Sequence, residues 1–209
     1  LKPQEIFKSN IFDNLPLEYY CEINPKTTYP LGVDKISFVP MESVSDVYGE
    51  IMHSQVGATS NSKGFTRFIE KDILWAKITP CMQNGKCAIA NDLKGGCGFG
   101  STEFHVLRSN DKVLPEYIYC FLRTSILRKT ATTYFTGSAG QQRVGANFLE
   151  AITIPNIPLH SKDKEAITQE RIVSEIFDIK QRIKAANVHS EELRKKAYDD
   201  FASTVFCGS

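Results

Sequence analysis

The sequence is short of the features that would make it easy to classify. No apolar run approaches the roughly 20 residues of a membrane-crossing helix, and the opening LKPQEIFKSN is too polar for a secretory leader. The six cysteines, at 21, 81, 87, 97, 120 and 207, include no Cys-x-x-Cys pair. The five- and nine-residue gaps between Cys81, Cys87 and Cys97 fit no usual zinc spacing. No metal is expected; the thiols are read as small apolar groups in a reducing, cytoplasmic setting. The four histidines, 53, 105, 160 and 189, are scattered. Net charge is only +1, so the chain as a whole is not a basic nucleic-acid binder. Nucleotide and hydrolase motifs are missing too: there is no GxxxxGK[ST] loop and no GxSxG elbow. GGCGFG (95–100) fails the GxGxxG spacing and runs into a strand pattern, so it offers no helix N-terminus for a phosphate. INPK (23–26) lacks the second Pro and the aromatic of an adenine-methyltransferase NPP[YF] motif. No catalytic residue is nominated. The chain starts with Leu rather than Met, and a fragment or trimmed chain is expected.

What is present is unevenly distributed. Residues 1–60 hold 4 Lys and Arg against 8 Asp and Glu, whereas 61–146 hold 12 against 6. A polyanion would meet the middle of the chain. That middle reads as short strands and helices. ISFVP (36–40), DILWAKIT (72–79), CAIA (87–90) and AITIP (151–155) are strand patterns. STEFHVLR (101–108) alternates as a half-buried strand, with Ser101, Glu103 and His105 on a polar face. Pro115 is placed to open a helix through EYIYCFLR, and Ser125 to cap a second one. TGSAGQQRVG (136–145) is a loop by composition, and Asn84-Gly85 is a hairpin-turn signal. The expected class is α+β.

Residues 158–164 read as a linker between a domain over 1–157 and a helix over 165–205. Positions 172, 176, 179, 183, 186, 190, 193 and 197 are Ile, Ile, Ile, Ile, Ala, Ser, Leu and Ala, a spacing that alternates four and three. This is a heptad seam, and a helix with so narrow an apolar stripe needs a partner helix. No second long heptad exists in the chain, so a second copy or a second half is expected. Pairing is assigned to Ile172, Ile176, Ile179, Ile183, Leu193 and Ala197.

Eight strings occur in order: VDKISFVPMESVS, GEI, KDILWAKITPCMQNGKCAIA, GFGSTEFHVLR, LPEYIYCFLR, TGSAGQQRV, ITIPNIPL and QERIVSEI. Together they strongly resemble the specificity subunit of type I restriction-modification enzymes, as one target recognition domain followed by one conserved spacer helix. The resemblance implies a reader of double-stranded DNA with no chemistry of its own. A whole subunit of that family carries two recognition domains held apart by two antiparallel helices. Modification subunits methylate adenine with S-adenosylmethionine, and restriction subunits, engaged indirectly, add ATP-driven translocation and cleavage. This chain would need no cofactor. Two rivals stay open: the recognition end of a fused methyltransferase-nuclease, and a coiled-coil scaffold that binds protein.

DNA recognition needs cations for phosphates and directional side chains for base edges. Lys77 and Lys86 flank a turn whose tip carries Gln83 and Asn84, amides able to pair with adenine. Ser138, Gln141, Gln142 and Arg143 form a second candidate surface, with the alternative that this loop hydrogen-bonds within the protein and locks the domain onto the spacer. Lys63 and Arg67 lie in a polar, basic stretch (Thr59 to Arg67) suited to a major groove. Arg108 is open between a phosphate contact and an ion pair. Gly98 and Gly100 are expected to admit close backbone packing.

Overall fold

The structure is a computed structural model that describes residues 1–138, 140–163 and 165–206. Two four-stranded sheets and a helical layer stack in that order. The middle sheet contains β2 (Cys21–Ile23), β6 (Ile73–Ala76), β7 (Cys87–Ile89) and β9 (Phe104–Ser109), in the order β2-β9-β6-β7 and antiparallel throughout. The outer sheet contains β3 (Lys35–Val39), β4 (Gln55–Ala58), β5 (Thr66–Ile69) and β8 (Cys97–Gly100), in the order β4-β3-β8-β5, with β3 and β8 parallel. A short pair joins β1 (Asn14–Pro16) to β12 (Thr153–Pro155), and a small hairpin joins β10 (Phe135–Thr136) to β11 (Arg143–Val144). The helices are α1 (Cys81–Asn84), α2 (Pro115–Arg123), α3 (Ser125–Thr132), α4 (Ala146–Glu150) and α5 (Gln169–Phe206). The α+β expectation holds.

The middle sheet is buried on both faces. Leu74, Phe104 and Val106 meet Val39 and Phe68 of the outer sheet. Ile73, Trp75, Cys87 and Leu107 meet Tyr117, Ile118, Leu122, Leu127 and Phe148 of the helical layer. STEFHVLR is therefore not a half-buried strand: residues 101–103 form a turn, β9 starts at Phe104, and His105 is buried. A strand sandwiched between two layers has no solvent face to display. GGCGFG does more than run into a strand: its second half is itself strand β8, internal in the outer sheet. Its glycines do admit close packing: a Cβ on Gly98 would overlap the Phe68 ring, and one on Gly100 the Val39 carbonyl.

Local chemistry moves several boundaries. Pro115 opens α2 as expected, but α3 is capped by Thr124, whose hydroxyl accepts from the Leu127 N–H, rather than by Ser125. Asn84-Gly85 is not a hairpin turn. Gly85, at φ 89°, ends α1 in the left-handed conformation that glycine adopts without strain. TGSAGQQRV is a hairpin, apart from Ala139, which lies outside the described residues. The long helix starts at Gln169 rather than 165, where Thr168 accepts from the Arg171 N–H as its cap. Lys164 and residues 207–209, including Cys207, lie outside the described residues. Among the described residues no helix is long and apolar enough to cross a membrane. Cys21 and Cys87 lie in the main core, and Cys97 lies on the outward face of the outer sheet, covered by Tyr29 and Val33. Burial pushes the Cys87 thiol up to about 12.

The helix α5, about 57 Å long, leaves the body after a firm attachment. Gln169 is fully buried: its Oε1 accepts from the Leu114 N–H at 2.9 Å, and its Nε2 donates to the Ile157 carbonyl at 2.8 Å. Ile172, Val173 and Phe177 then pack against the core.

Candidate nucleic-acid interface

The segment after β6 and the TGSAGQQRV hairpin, some 60 residues apart in sequence, are stitched edge to edge. The Val144 N–H donates to the Lys77 carbonyl at 3.0 Å, and the Thr79 N–H donates to the Gln142 carbonyl at 2.9 Å. A β-bridge pairs Ile78 with Arg143. This seam brings Lys77, Gln141, Gln142 and Arg143 together, with Gln83 and Asn84 exposed on the adjoining α1. Ser138 and Gln141 are exposed; Lys77, Gln142 and Arg143 are half-buried.

Several cations here are committed within the protein. Arg143 grips the Glu103 carboxylate at 2.7 Å and 2.9 Å, and this bonding holds Glu103 below the usual carboxylate range. Lys86 donates to the Met41 carbonyl at 3.0 Å. Arg128 reaches back to the Gln83 carbonyl at 3.2 Å. Arg123 donates to the carbonyls of Asp46, Val47 and Gly85. Arg108 forms an ion pair with buried Asp72 at 2.7 Å and donates to Thr27, which answers the question its sequence position left open. The backbone of TGSAGQQRV and its Arg143 thus bond within the protein, to Lys77, Thr79 and Glu103 of the same body rather than to the spacer helix, while Gln83, Asn84, Ser138 and Gln141 remain outward.

His105 locks the seam from beneath. Its Nε2 lies 2.8 Å from the Val144 carbonyl, so Nε2 carries the proton. Asn24 Oδ1 accepts from the Val106 N–H at 3.1 Å, which leaves the Asn24 amide to donate to His105 Nδ1 at 3.0 Å. INPK therefore supplies a brace to the framework. Burial lowers the His105 pKa below its ordinary value.

Lys63 and Arg67 are elsewhere, on the outer sheet. Lys63 is exposed, and the Arg67 guanidinium lies 5.3 Å from the centre of the Tyr29 ring. The seam residues of α5 divide. Ile172 is held by the body, whereas Ile176, Ile179, Ile183 and Leu193 are 41–55% exposed, and Ala197 is exposed. Ile176, Ile179 and Ile183 share a groove with Val47, Tyr48 and Thr124 of the body.

Three functional features escaped the sequence. The Gln169 anchor and the Asn24 brace depend on partners far along the chain. The third is Glu50, which takes Lys180 at 3.1 Å and Lys184 at 2.6 Å from α5. Burial alone would raise its pKa, but hydrogen bonds from Lys184 and Lys180 outweigh that and lower it. The GEI string was the only signal for Glu50.

Comparison with known proteins shows the family and the fold. The chain is 36% identical over 155 residues to the Type I restriction enzyme EcoAI specificity subunit of Escherichia coli, covering 73% of this chain and 26% of that protein. It is 37% identical over 146 residues to the EcoEI specificity subunit of Escherichia coli, covering 69% and 25%. The fold is shared with the HsdS subunit from Thermoanaerobacter tengcongensis, with a TM-score of 0.67 at 18% identity, over 92% of this chain and 48% of that one. The matches thus span about a quarter of these curated relatives and about half of the solved chain. The family model described as the type I restriction modification DNA specificity domain matches residues 20–192, the globular body and α5 as far as Glu192, and the chain belongs to that family.

Proposed function

We propose that this chain is a sequence-specific reader of double-stranded DNA in a type I restriction-modification system. It recognises one part of a split target and directs methylation and cleavage carried out by partner subunits. The match of residues 20–192 to the DNA specificity domain carries this reading. In it, the body supplies recognition, and α5 holds it at a set distance from a second unit through the open seam at Ile176, Ile179, Ile183 and Leu193. The chemistry belongs to partners: a modification subunit that binds S-adenosylmethionine and, through the assembled complex, a restriction subunit that uses ATP. Outward Gln83, Asn84, Ser138 and Gln141 offer neutral contacts to DNA, with Lys77 and Lys63 as phosphate partners.

The test is a mobility shift on random and target-selected duplexes, with and without a modification subunit, at low and high salt. Binding is expected to weaken with salt, because it releases counterions and that release gains less as bulk salt rises, and one selected sequence should be preferred. Failure to bind any duplex in a salt-sensitive way, even with the modification subunit present, would sink the DNA reading and favour a protein-binding scaffold.

A further inference from the structure

The outward face of the outer sheet carries a surface that the framework leaves unused. Strand register aligns Gln55, Phe38, Phe99 and Arg67 in one row across β4, β3, β8 and β5. Phe65, from the turn before β5, packs edge-on against both aromatic neighbours, with ring centres 5.6 Å from Phe38 and 5.4 Å from Phe99. Phe38 and Phe99 are themselves 5.0 Å apart. Segment 29–33 covers one end of this face, where Tyr29 and Val33 pack over Ile36 and Cys97. The Phe65 end stays open, and Phe65 is 43% exposed. A shallow hollow forms there over the three rings, rimmed by Gln55, Asn61 and Val56, with no carboxylate in its lining. The Gln55 and Asn61 amides are exposed and make no hydrogen bond within the protein among the described residues. Cations stand on the same side: Lys63 is exposed, and Arg67 is oriented by the Tyr29 ring.

Each group has a counterpart on duplex DNA. Thymine is the base that presents a methyl group in the major groove, and it suits an aromatic surface. Adenine presents N7 and the N6 amino group side by side, the acceptor–donor pair that a carboxamide matches. Flanking cations suit phosphates. We propose that the hollow over Phe38, Phe65 and Phe99 is a base-reading subsite for an adenine·thymine pair. In it Phe65 covers the thymine methyl, Asn61 or Gln55 pairs with adenine, and Lys63 and Arg67 hold the adjoining backbone. The assignment rests on the DNA-recognition reading above and adds to it the place and the kind of base pair read.

The test begins by selecting preferred duplexes from a randomised pool with the full chain, together with a modification subunit. It then measures affinity after replacing each thymine by deoxyuridine, which removes only the methyl group. With the native chain, one position is expected to lose about threefold to fourfold. In Phe65→Ala that position should become indifferent to the replacement. Asn61→Ala or Gln55→Ala should relax the adenine preference at the same pair by about tenfold. Arg67→Gln should instead reduce the salt slope by about one while leaving the preference intact. Asn61 and Gln55 are exposed, so their variants should melt as the native chain does; Phe65→Ala loses two ring contacts, and a single cooperative transition at a slightly lower temperature confirms that it folds. If the native chain binds selected DNA but Phe65→Ala, Asn61→Ala and Gln55→Ala keep its sequence preference and its deoxyuridine response, the subsite is refuted and DNA recognition stands. Loss of the modification subunit by these variants, with DNA preference kept, assigns the face to a protein contact and also overturns it. If the native chain binds no duplex, the underlying DNA reading falls first.

Discussion

Gly100 has no room for a side chain, because an added Cβ would run into the Val39 carbonyl of the parallel neighbour β3. The obstacle is backbone in the middle of a sheet, which has no rotamer to change. Gly100→Ala is therefore expected to destabilise by about 3 kcal/mol, the upper end for overpacking. Denaturant titration checks this, and an unchanged midpoint would show that β3 and β8 separate freely. His105 gives a pH signature. Burial lowers its folded pKa below the ordinary 6.5, so below that value the unfolded chain takes up the proton more readily. Stability contributed by neutral His105 is present above about pH 6.5 and is lost as pH falls through the lowered folded value. Melting temperature should drop between pH 7 and pH 5.5. His105→Gln should flatten that part of the curve while being less stable at pH 7, because it cannot reproduce the bonds to Val144 and Asn24. A drop of the same size in His105→Gln would assign the pH response to another group.

Among the elements, α5 is governed by two different attachments. Its first turns are fixed by Gln169, Ile172, Val173 and Phe177, in apolar and buried contact with the body. One to two turns on, the contact is electrostatic: Glu50 between Lys180 and Lys184, with Tyr119 donating to the Gly49 carbonyl at 3.0 Å to hold the 48–50 turn in place. The Glu50 pairs are part-exposed and worth no more than about 1 kcal/mol together. Glu50→Gln should leave the body intact and raise amide exchange around residues 176–184 by about threefold at low salt. Exchange indistinguishable from the native chain would mean that the apolar turns alone set the helix angle. Alongside the clamp, the stripe at Ile176, Ile179 and Ile183 is exposed. The double substitution Ile176→Asp and Ile183→Asp is expected to abolish helix pairing in sedimentation experiments without shifting the body's melting transition. Pairing that survives would place the partner on another face.

At the largest scale, a compact body carries an arm, α5, that projects away from it. In the proposed function the arm matters because two weak readers joined rigidly would bind through effective concentration. A pair of such bodies linked through α5 should bind a duplex with two correctly spaced half-targets at least about 100-fold more tightly than one half-target. Inserting about five base pairs, half a helical turn, should remove most of that gain by rotating one half-target to the far side of the duplex. Equal affinity for both spacings would show that the arm is not a ruler.

The sequence by itself determined the layout: the class, five of the twelve strands among the described residues, the Pro115 helix start, the heptad seam, and the ordered strings that mark the family. These are legible because alternation, turn residues and seam spacing are local patterns. Only tertiary structure decided which polar residues face outward. Arg143 and Lys86 look like phosphate ligands in sequence, yet their partners, Glu103 and the Met41 carbonyl, lie about 40 residues away. His105 and Gln169 look like surface residues until Val144 and Asn24 close over the one and Leu114 and Ile157 of the body over the other. A polar side chain in a linear string carries no record of what will satisfy it. Folding assigns its partner through contacts distant in sequence, and what remains unsatisfied at the surface is what the proposed DNA contact would draw on.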